Sequence, residues 1–332
     1  MLSQTKIISF NGSANPYYCG CKGKIINVLA CMGNQIHYIK HNKIDFNKWN
    51  NLVERAEQGT VYSYSWWLSA FCQWDIIVLN DYEAGIPVPQ ASGMFIQKIH
   101  QPNFIQQCLW LGTLPDDDIL PHISKLIASK SQVIHFNSNL PLDFSVTERK
   151  NQILDIREAS EVQAGYSKSL SKNIKKQRDK VLVSENQDIQ HTIDKYTAAY
   201  GSLNTQLKPI DYLKIKNLAV SKPENFVNLT LYLNKQPVAG LLFAKGKNRL
   251  HYILGAPTAD GRKVNALSIG IHYIIEKYGS SYAVLDFEGS SIPSVHQFYR
   301  SFGSEVETFY ELSHMPYWLK MPLRVYKRLF KS

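Results

Sequence analysis

One stretch, from Leu250 to Gly303, constrains the fold more than any other part of the chain. Apolar residues recur there first at strand spacing and then at helical spacing, and polar turns separate the segments. The pattern predicts a strand (Leu250 to Ala256), a polar turn (Pro257 to Asn265), a helix from Ala266, a second strand (Ala283 to Phe287) and a second helix (Ile292 to Phe302). A unit of strands and helices in this order places the chain in the α/β class.

The polar turn has the composition of an anion-binding site. A turn rich in Gly and Asn before a helix offers free backbone N–H groups, and here two cations directly precede the helix. The alternative interpretation is an ordinary helix cap. If a phosphate-bearing ligand binds here, the residues predicted to contact it are Leu254, Gly255, Ala256, Gly261, Arg262, Lys263, Asn265 and Ala266.

Two carboxylates follow the second strand of this unit. Asp286 and Glu288 precede Gly289, Ser290 and Ser291, and ligands of α/β sheets usually bind beyond the carboxyl ends of strands. The sequence therefore predicts a functional site here. The alternative is that Asp286 only caps the helix that follows.

The motifs of this region resemble those of the Fem-type group of tandem GNAT-like N-acyltransferases, which includes peptidoglycan-bridge aminoacyl ligases. The resemblance extends over most of the chain from Ile36 to Leu312. In the second half it depends on Pro237-Val238-Ala239-Gly240, Leu285-Asp286-Phe287-Glu288-Gly289 and Phe298-Tyr299-Arg300-Ser301-Phe302-Gly303. In the first half it depends on Tyr62-Ser63-Tyr64-Ser65-Trp66-Trp67-Leu68, Trp74-Asp75 and Asp81-Tyr82-Glu83.

The resemblance implies two GNAT-like domains, each a mixed, centrally antiparallel sheet flanked by helices. A chain of 332 residues is long enough for two cores. We predict a poorly structured tail over residues 1–33, an N-terminal domain over 34–157 and a C-terminal domain over 158–332. No repeat is visible by residue identity, so the two-copy architecture is an implication of the resemblance.

The resemblance also implies roles in acyl transfer to an amine. Such a reaction needs a base for the ammonium proton and an acid for the leaving group. Tyr299 resembles the tyrosine that protonates the departing thiolate, and Glu288 or Asp286 would be the base. Packing alone is the alternative role for Tyr299.

Two departures keep the donor open between acyl-CoA and aminoacyl-tRNA. The expected phosphate loop is matched only by Arg262 and Ala266, without its inner glycine, and the Fem ligases have a lysine where Tyr299 stands. The implied function is an N-acyltransferase of cell-envelope or sugar metabolism that acts on a small-molecule or peptidoglycan-precursor amine. The alternative is a non-catalytic GNAT-fold module that binds a polyanion.

Two segments account for the formal net charge of +10. The predicted helix over 166–180 has six cations and one acid, and the segment 316–332 has five cations and no acid. Concentrated positive charge favours a polyanionic partner. We predict tRNA contact through 166–180 and peripheral membrane contact through 316–332. The alternative for 316–332 is a terminal helix whose apolar face packs on the second domain.

The cysteines and the hydropathy pattern exclude several classes of protein. The spacing of Cys19, Cys21, Cys31 and His37 matches no common zinc pattern, so we predict no metal site. No apolar run is long enough to span a membrane, and no export signal is evident at the start. We predict a cytoplasmic protein at the inner face of the membrane.

A dense aromatic cluster in the first half has two interpretations. It is either a packed core or a wall for a ligand between the two domains. Its members are Tyr62, Tyr64, Trp66, Trp67, Phe71 and Trp74.

Overall fold

The computed structural model describes residues 18–21, 24–27, 35–92, 97–289 and 292–319. The helices are α1 Phe46–Arg55, α2 Ser65–Phe71, α3 Leu120–Ala128, α4 Ala159–Ala164, α5 Lys168–Gln177, α6 Ile189–Tyr200, α7 Pro209–Ser221, α8 Ala259–Lys263, α9 Ala266–Tyr278 and α10 Pro293–Arg300. The strands are β1 Tyr18–Cys21, β2 Lys24–Asn27, β3 Ile36–Ile39, β4 Gln73–Leu79, β5 Ala84–Ser92, β6 Gln97–His100, β7 Val133–Ser138, β8 Ser145–Asp155, β9 Val181–Glu185, β10 Phe226–Leu233, β11 Gln236–Lys245, β12 Arg249–Pro257, β13 Val284–Asp286 and β14 Glu305–His314.

Twelve strands form one continuous sheet in the order β3-β4-β5-β6-β7-β14-β8-β13-β12-β11-β10-β9. Its two ends repeat the same topology. In each half, four strands pair antiparallel in chain order (β3 to β6, and β9 to β12), and the fourth pairs parallel with a fifth (β7, and β13). Two helices follow the first strand of each half. Along the chain, α3 connects the parallel strands β6 and β7, and α8 and α9 connect the parallel strands β12 and β13. The internal repeat is therefore topological although it is invisible in residue identity.

The two halves exchange their last strands. β8 follows β7 along the chain, yet it lies between β14 and β13, and β14 lies between β7 and β8. The long antiparallel pair of β8 and β14 joins the halves through backbone hydrogen bonds. The predicted division at residue 157 stays a prediction, and the sheet runs across it without a break.

Local signals explain where the elements begin. Asp45 caps α1 by accepting hydrogen bonds from the backbone N–H groups of Asn47 (3.0 Å) and Lys48 (3.1 Å). The α1 face that carries Trp49 and Leu52 is buried. Asn234 and Lys235 take positive φ between β10 and β11, as a tight hairpin turn requires. β10, β11 and β12 pair antiparallel in chain order.

Two hydrophobic cores lie on the sheet. The first contains Trp67 and Ile77 of the first half together with Ile215 and Leu242 of the second. The second core lies in the second half and is centred on residues such as Leu241, Phe243, Ile271 and Leu285. Leu241 and Leu242 point to opposite faces of β11, since side chains alternate along a strand. One strand of the second half thus packs against both cores.

Two details differ from the predicted elements. The turn at 257–265 contains a short helix, α8, because Thr258 caps it through the Gly261 N–H at 3.1 Å. The basic helix predicted over 166–180 spans Lys168–Gln177 and continues as a 3-10 turn. Of the predicted tail 1–33, the structure describes only β1 and β2, which pair antiparallel. Residues 320–332 of the predicted membrane-contacting segment lie outside the described residues.

Candidate active site

The predicted site carboxylate Asp286 lies at the end of β13 and is buried. Its oxygens accept hydrogen bonds from Arg249 (2.9 Å), from the Asn151 side-chain amide (3.0 Å) and from the backbone N–H of Glu288 (2.8 Å). Cross-strand register brings these groups together, because Asp286 on β13 pairs with His251 on β12. Both oxygens of Asp286 therefore have hydrogen-bond partners.

Glu288 lies two residues beyond Asp286, just past the carboxyl end of β13. Its side chain is 20% exposed and bonds to His251 Nδ1 at 2.9 Å, while the Tyr62 hydroxyl donates a second hydrogen bond to it. Burial raises the pKa of Glu288 above its ordinary value, and the charge of Asp286 adds to the rise. A carboxyl of this kind can accept and release a proton closer to neutral pH than an ordinary glutamate.

His251 connects the two carboxylates. Its side chain is fully buried, and Nδ1 lies 3.7 Å from Asp286 as well as 2.9 Å from Glu288. The imidazole packs edge-on against the Tyr62 ring with centroids 4.8 Å apart. Its Nε2 is buried without a hydrogen-bond partner among the described residues. Nδ1 is thus the ring nitrogen through which His251 contacts Glu288.

Arg249 compensates part of the negative charge. Its guanidinium donates to Asp286 at 2.9 Å and to both oxygens of Glu307 at 3.1 Å. Burial alone would lower the pKa of Arg249, but Glu307 and Asp286 outweigh it and hold the pKa above its ordinary value. The same contact lowers the pKa of Glu307 against the opposing effect of its own burial. Two carboxylates, of Asp286 and Glu307, therefore share one guanidinium.

Tyr299 lies on α10 beside this cluster. Its ring stacks on Phe287 with centroids 4.5 Å apart and meets Tyr252 edge-on at 6.4 Å. Burial raises the pKa of Tyr299 above its ordinary value, and the charge of Glu288 raises it further. The phenol thus stays protonated at neutral pH, as a proton donor must. The structure brings Tyr299, Glu288 and Asp286 together, and whether they catalyse stays a prediction.

The predicted donor residues form the end of β12, α8 and the start of α9. Leu254, Gly255 and Ala256 belong to β12, and Gly261, Arg262 and Lys263 belong to α8. The backbone of Gly261 lies so close to Val238 that an added Cβ would meet the Val238 carbonyl oxygen at 2.2 Å. Lys263 pairs with Asp260 at 2.8 Å, with both side chains exposed.

Asn265 and Ala266 form the start of α9. Asn265 has a φ of 53°, in the left-handed region that glycine usually occupies. No side chain caps the helix at this end. The loop thus takes a glycine-like conformation although its inner glycine is absent, and this end of α9 fits an anionic group.

A cavity of about 290 Å³ opens between the two halves of the molecule beside the cluster. Thr60, Tyr62 and Gln107 line it from the first half, and Arg249 and Glu307 line it from the second. A chain of hydrogen bonds joins its wall to the cluster, from Gln107 to Gln106 (3.2 Å), from Gln106 to Asn151 (3.0 Å) and from Asn151 to Asp286. The cavity and the carboxylates are parts of one site.

Sequence reasoning missed four members of this site: Asn151, Arg249, His251 and Glu307. The predicted strand Leu250 to Ala256 includes His251 but gives it no role in the site. A histidine inside the apolar run Leu250 to Leu254 was a usable signal, because a buried polar side chain needs partners. Tyr62, from the aromatic cluster, is buried in the first core and also lines the cavity; a ligand contact there stays a prediction.

Three side-chain atoms that could coordinate a metal ion, on His251, Asp286 and Glu288, lie within 4.8 Å of one another. Two observations disfavour a metal here. Both oxygens of Asp286 are engaged by Arg249, Asn151 and the Glu288 backbone. The Arg249 guanidinium also occupies the position where a cation would compensate these acids.

The predicted partner surfaces are described in part. The cations of α5 and its following turn are exposed, and Leu170 and Ile174 anchor the helix in the second core. Within the described part of the chain, no helix is long and apolar enough to cross a membrane.

The folded chain is similar to FemX, with a TM-score of 0.61 over 89% of this chain and 100% of FemX, at 10% identity. It is also similar to the C-terminal domain of a proposed lysylphosphatidylglycerol synthetase from Agrobacterium fabrum, with a TM-score of 0.52 over 81% of this chain and 90% of that one, at 11% identity. For L-PGS from Bacillus licheniformis the TM-score is 0.51 over 86% of this chain and 96% of that one, at 11% identity. The chain has the Fem-type fold. The fold predicted from the sequence is confirmed. No family model and no curated protein matches the sequence.

Proposed function

We propose that this chain is an N-acyltransferase, which moves an acyl or aminoacyl group from an activated donor to an amine. One observation carries the proposal. Glu288, a carboxyl with a raised pKa, is bonded to His251 and to Tyr62, which lines the inter-half cavity, and the protonated phenol of Tyr299 lies nearby. Acyl transfer to an amine requires a base and a protonated acid, and a carboxyl with a raised pKa is the stronger base.

The charge of the site supports an amine as the acceptor. Asp286 and Glu307 share the one guanidinium of Arg249, and the Glu57 carboxylate also lines the cavity, so the region next to the cavity keeps an excess of negative charge. A cationic ammonium group is attracted to such a place. A carboxylate or phosphate acceptor would be repelled.

The chemical step is a nucleophilic substitution at the donor carbonyl. Glu288 removes one proton from the acceptor ammonium, and the freed nitrogen forms a bond to the acyl carbon. The bond from that carbon to the leaving sulfur or oxygen breaks, and Tyr299 supplies a proton to the leaving atom. The nitrogen then releases its second proton to solvent, which leaves a neutral amide, and the Tyr299 phenolate takes a proton back from solvent. Asp286 and Arg249 hold Glu288 and His251 in position during the step.

The donor is either an acyl-CoA or an aminoacyl-tRNA. The uncapped start of α9 with Arg262 supports a phosphate-bearing donor, and the exposed cations of α5 support a polynucleotide. The acceptor is a small molecule or a peptidoglycan precursor in cell-envelope or sugar metabolism. The proposed place is the cytoplasmic face of the membrane, with contact through residues 316–332.

Thermal unfolding with candidate donors tests the proposal first. A ligand that binds only the folded chain raises its melting temperature by mass action. We expect a rise with acetyl-CoA, with a longer acyl-CoA or with a charged tRNA, followed by transfer when an amine is added. Binding of a donor without transfer to any amine would favour the alternative function, a non-catalytic module.

A further inference from the structure

Helix α7 is apolar on its outer face as well as on the face that packs inward. Its inner face, which includes Tyr212 and Ile215, is buried in the first core. Three large aliphatic side chains follow the outer face and are exposed: Ile210 (52%), Leu213 (49%) and Val220 (67%). They are separated by three and seven residues, a spacing that places them on one side of a helix. A helix that is apolar on both sides is usually covered on both, so the outer face of α7 predicts a binding surface.

Lysines lie next to this outer face of α7. Residues 203–224 contain two acids and four lysines, which are Lys208, Lys214, Lys216 and Lys222. Lys216 is three residues after Leu213 and four before Val220, so it is a neighbour of both on the helix surface. The acid Asp211 is engaged by the protein itself, because it accepts hydrogen bonds from the Asn103 side chain and from the Lys208 N–H, both at 2.9 Å. The outer face therefore combines apolar side chains with an excess of positive charge.

This combination is typical of a helix that lies in the surface of a bilayer. Aliphatic side chains of such a helix enter the acyl region, while lysines beside them reach the phosphates of anionic lipids. A lysine suits this position because its stem covers apolar surface and its ammonium stays in the polar layer. Lys222, just after α7, lies 5.5 Å from the centre of the Trp66 ring, and tryptophan is enriched at membrane–water interfaces.

Charge disfavours two other occupants of this face. In a two-fold contact between copies each surface meets itself, so the lysines of one α7 would lie near those of the other. Residues 1–17 and 320–332 of the chain contain no acidic residue, so neither end segment complements the lysines.

Composition disfavours a protein partner. Protein interfaces are enriched in aromatic residues and arginine and depleted of lysine. The outer face of α7 has the opposite composition, since residues 203–224 contain no arginine and their one aromatic residue, Tyr212, is buried on the inner face. An anionic bilayer is the occupant that matches both the apolar side chains and the lysines.

We infer that the outer face of α7 binds a membrane that contains anionic lipids. Ile210, Leu213 and Val220 enter the bilayer, and Lys208 and Lys216 contact lipid phosphates. This surface is separate in sequence from residues 316–332, and the inference does not depend on the proposed acyl transfer.

Flotation of the full chain with lipid vesicles tests the lipid preference. The chain should bind vesicles of phosphatidylcholine and phosphatidylglycerol in equal parts roughly tenfold or more tighter than vesicles of phosphatidylcholine alone, since each lysine near an anionic surface contributes about fivefold. Added salt should weaken this binding, because it screens exposed charges. Equal binding to both kinds of vesicle would overturn the inference.

The double variant Ile210→Ser, Leu213→Ser tests the apolar part of the surface. Both side chains are exposed, so the melting temperature should stay close to that of the unmodified chain. Affinity for the mixed vesicles should fall by roughly tenfold or more, because two aliphatic side chains no longer enter the bilayer. The matched control is Leu114→Ser, Leu182→Ser, at leucines that are 60% and 68% exposed elsewhere, and it should bind like the unmodified chain.

The double variant Lys208→Gln, Lys216→Gln tests the charged part. It should weaken binding to the mixed vesicles by roughly tenfold and reduce the salt dependence. Lys43→Gln, Lys125→Gln, at exposed lysines of the first half, is the control and should change neither quantity.

Three results would overturn the inference. Unchanged vesicle binding in both α7 variants would assign the binding to another surface, such as residues 316–332. A dimer in analytical ultracentrifugation that the serine variant converts to a monomer, without any vesicle binding, would identify a second copy of the chain as the occupant. A monomeric chain that binds no vesicles would leave a protein partner for this face.

Discussion

Glu288 has a backbone conformation that is unusual for its residue type. Its φ is 64°, in the left-handed region, and Gly289 follows with a φ of 62°. A non-glycine residue held there typically stores about 1–3 kcal/mol of strain. The turn also lies against β8, where a Cβ on Gly289 would meet the Lys150 carbonyl oxygen at 2.6 Å. This strained backbone conformation directs the Glu288 carboxyl toward His251 and Tyr62. Strain retained at such a position favours a functional role for this side chain.

Tyr299→Phe tests the proposed general acid. The change removes one hydroxyl and little volume, so the stack on Phe287 and donor affinity should survive. Turnover should fall by about 10²- to 10⁴-fold, the usual contribution of a general acid or base. Steady-state rates and donor binding are measured together. Tyr282→Phe, at a half-buried tyrosine that packs on Tyr278, is the control and should keep its rate. Full activity in Tyr299→Phe would show that Tyr299 is not the general acid and only packs in the core.

Glu288→Gln tests the proposed base through the pH dependence of the rate. Glu288 must be deprotonated to accept a proton, so the rate of the unmodified chain should rise with pH through the raised pKa. In the variant that acidic limb should vanish, and the rate should fall by about 10²- to 10⁴-fold. Glu305→Gln, an exposed acid on β14, is the control. An unchanged acidic limb in Glu288→Gln would assign the base to another group.

The same substitution changes stability in a direction that the pKa fixes. The folded chain keeps the Glu288 proton at pH values where the unfolded chain, with an ordinary pKa of 4.5, releases it. Glu288 therefore favours folding fully below pH 4.5, and this contribution is lost as the pH rises through the raised pKa. As the pH rises above 4.5, denaturant titrations should show that the unfolding free energy of Glu288→Gln declines less than that of the unmodified chain.

At the scale of elements, the start of α9 is the proposed donor site. Arg262 is exposed on α8, whereas Lys263 is paired with Asp260. Arg262→Ala should therefore weaken acetyl-CoA binding more than Lys263→Ala does. The loss should be roughly tenfold or more, since a hydrogen bond to a charged group contributes about 1.5–3 kcal/mol. Calorimetric titration measures both, with Lys247→Ala as the control. If both variants bind acetyl-CoA as tightly as the unmodified chain, the donor does not bind at the start of α9.

The basic helix α5 distinguishes the two donors. If a charged tRNA binds there, affinity should fall steeply with salt, by roughly 0.9 log units per phosphate contact for each log unit of salt. Replacing Lys172, Lys175 and Lys176 with Ala should reduce that slope and leave acetyl-CoA binding unchanged. A triple variant of exposed lysines elsewhere is the control, at Lys43, Lys125 and Lys247. A flat salt dependence in the unmodified chain would exclude tRNA contact through α5.

At the scale of the whole molecule, local signals predicted the elements and missed most of the site. The strands and helices around Tyr299 follow apolar periodicity, a property of neighbouring residues, and these predictions hold within a few residues. The site depends on pairings between distant strands. Asn151 lies opposite Glu307, and His251 lies opposite Asp286. The exchange of β8 and β14 sets the first pairing, and no feature of either segment alone indicates it.

The same exchange predicts that the two halves unfold as one unit. β14 and β8 pair across the molecule, and helices α6 and α7 of the second half contribute Ile193 and Ile215 to the first core. Separation of the halves would break both the sheet and that core. Cooperative loss of structure is then expected in spite of the chain length, because neither half keeps a complete sheet or core alone.

Leu231→Ala tests this cooperativity, since Leu231 is fully buried in the second core. Tryptophan fluorescence reports mainly on the first half, which holds Trp49, Trp66, Trp67, Trp74 and Trp110, against Trp318 in the second. Loss of a buried leucine costs about 2–5 kcal/mol. If the halves unfold together, this loss should shift the fluorescence midpoint and the circular dichroism midpoint equally. Leu182→Ala, at a position 68% exposed, should shift neither. A two-step circular dichroism transition with unmoved fluorescence would show that the halves unfold independently.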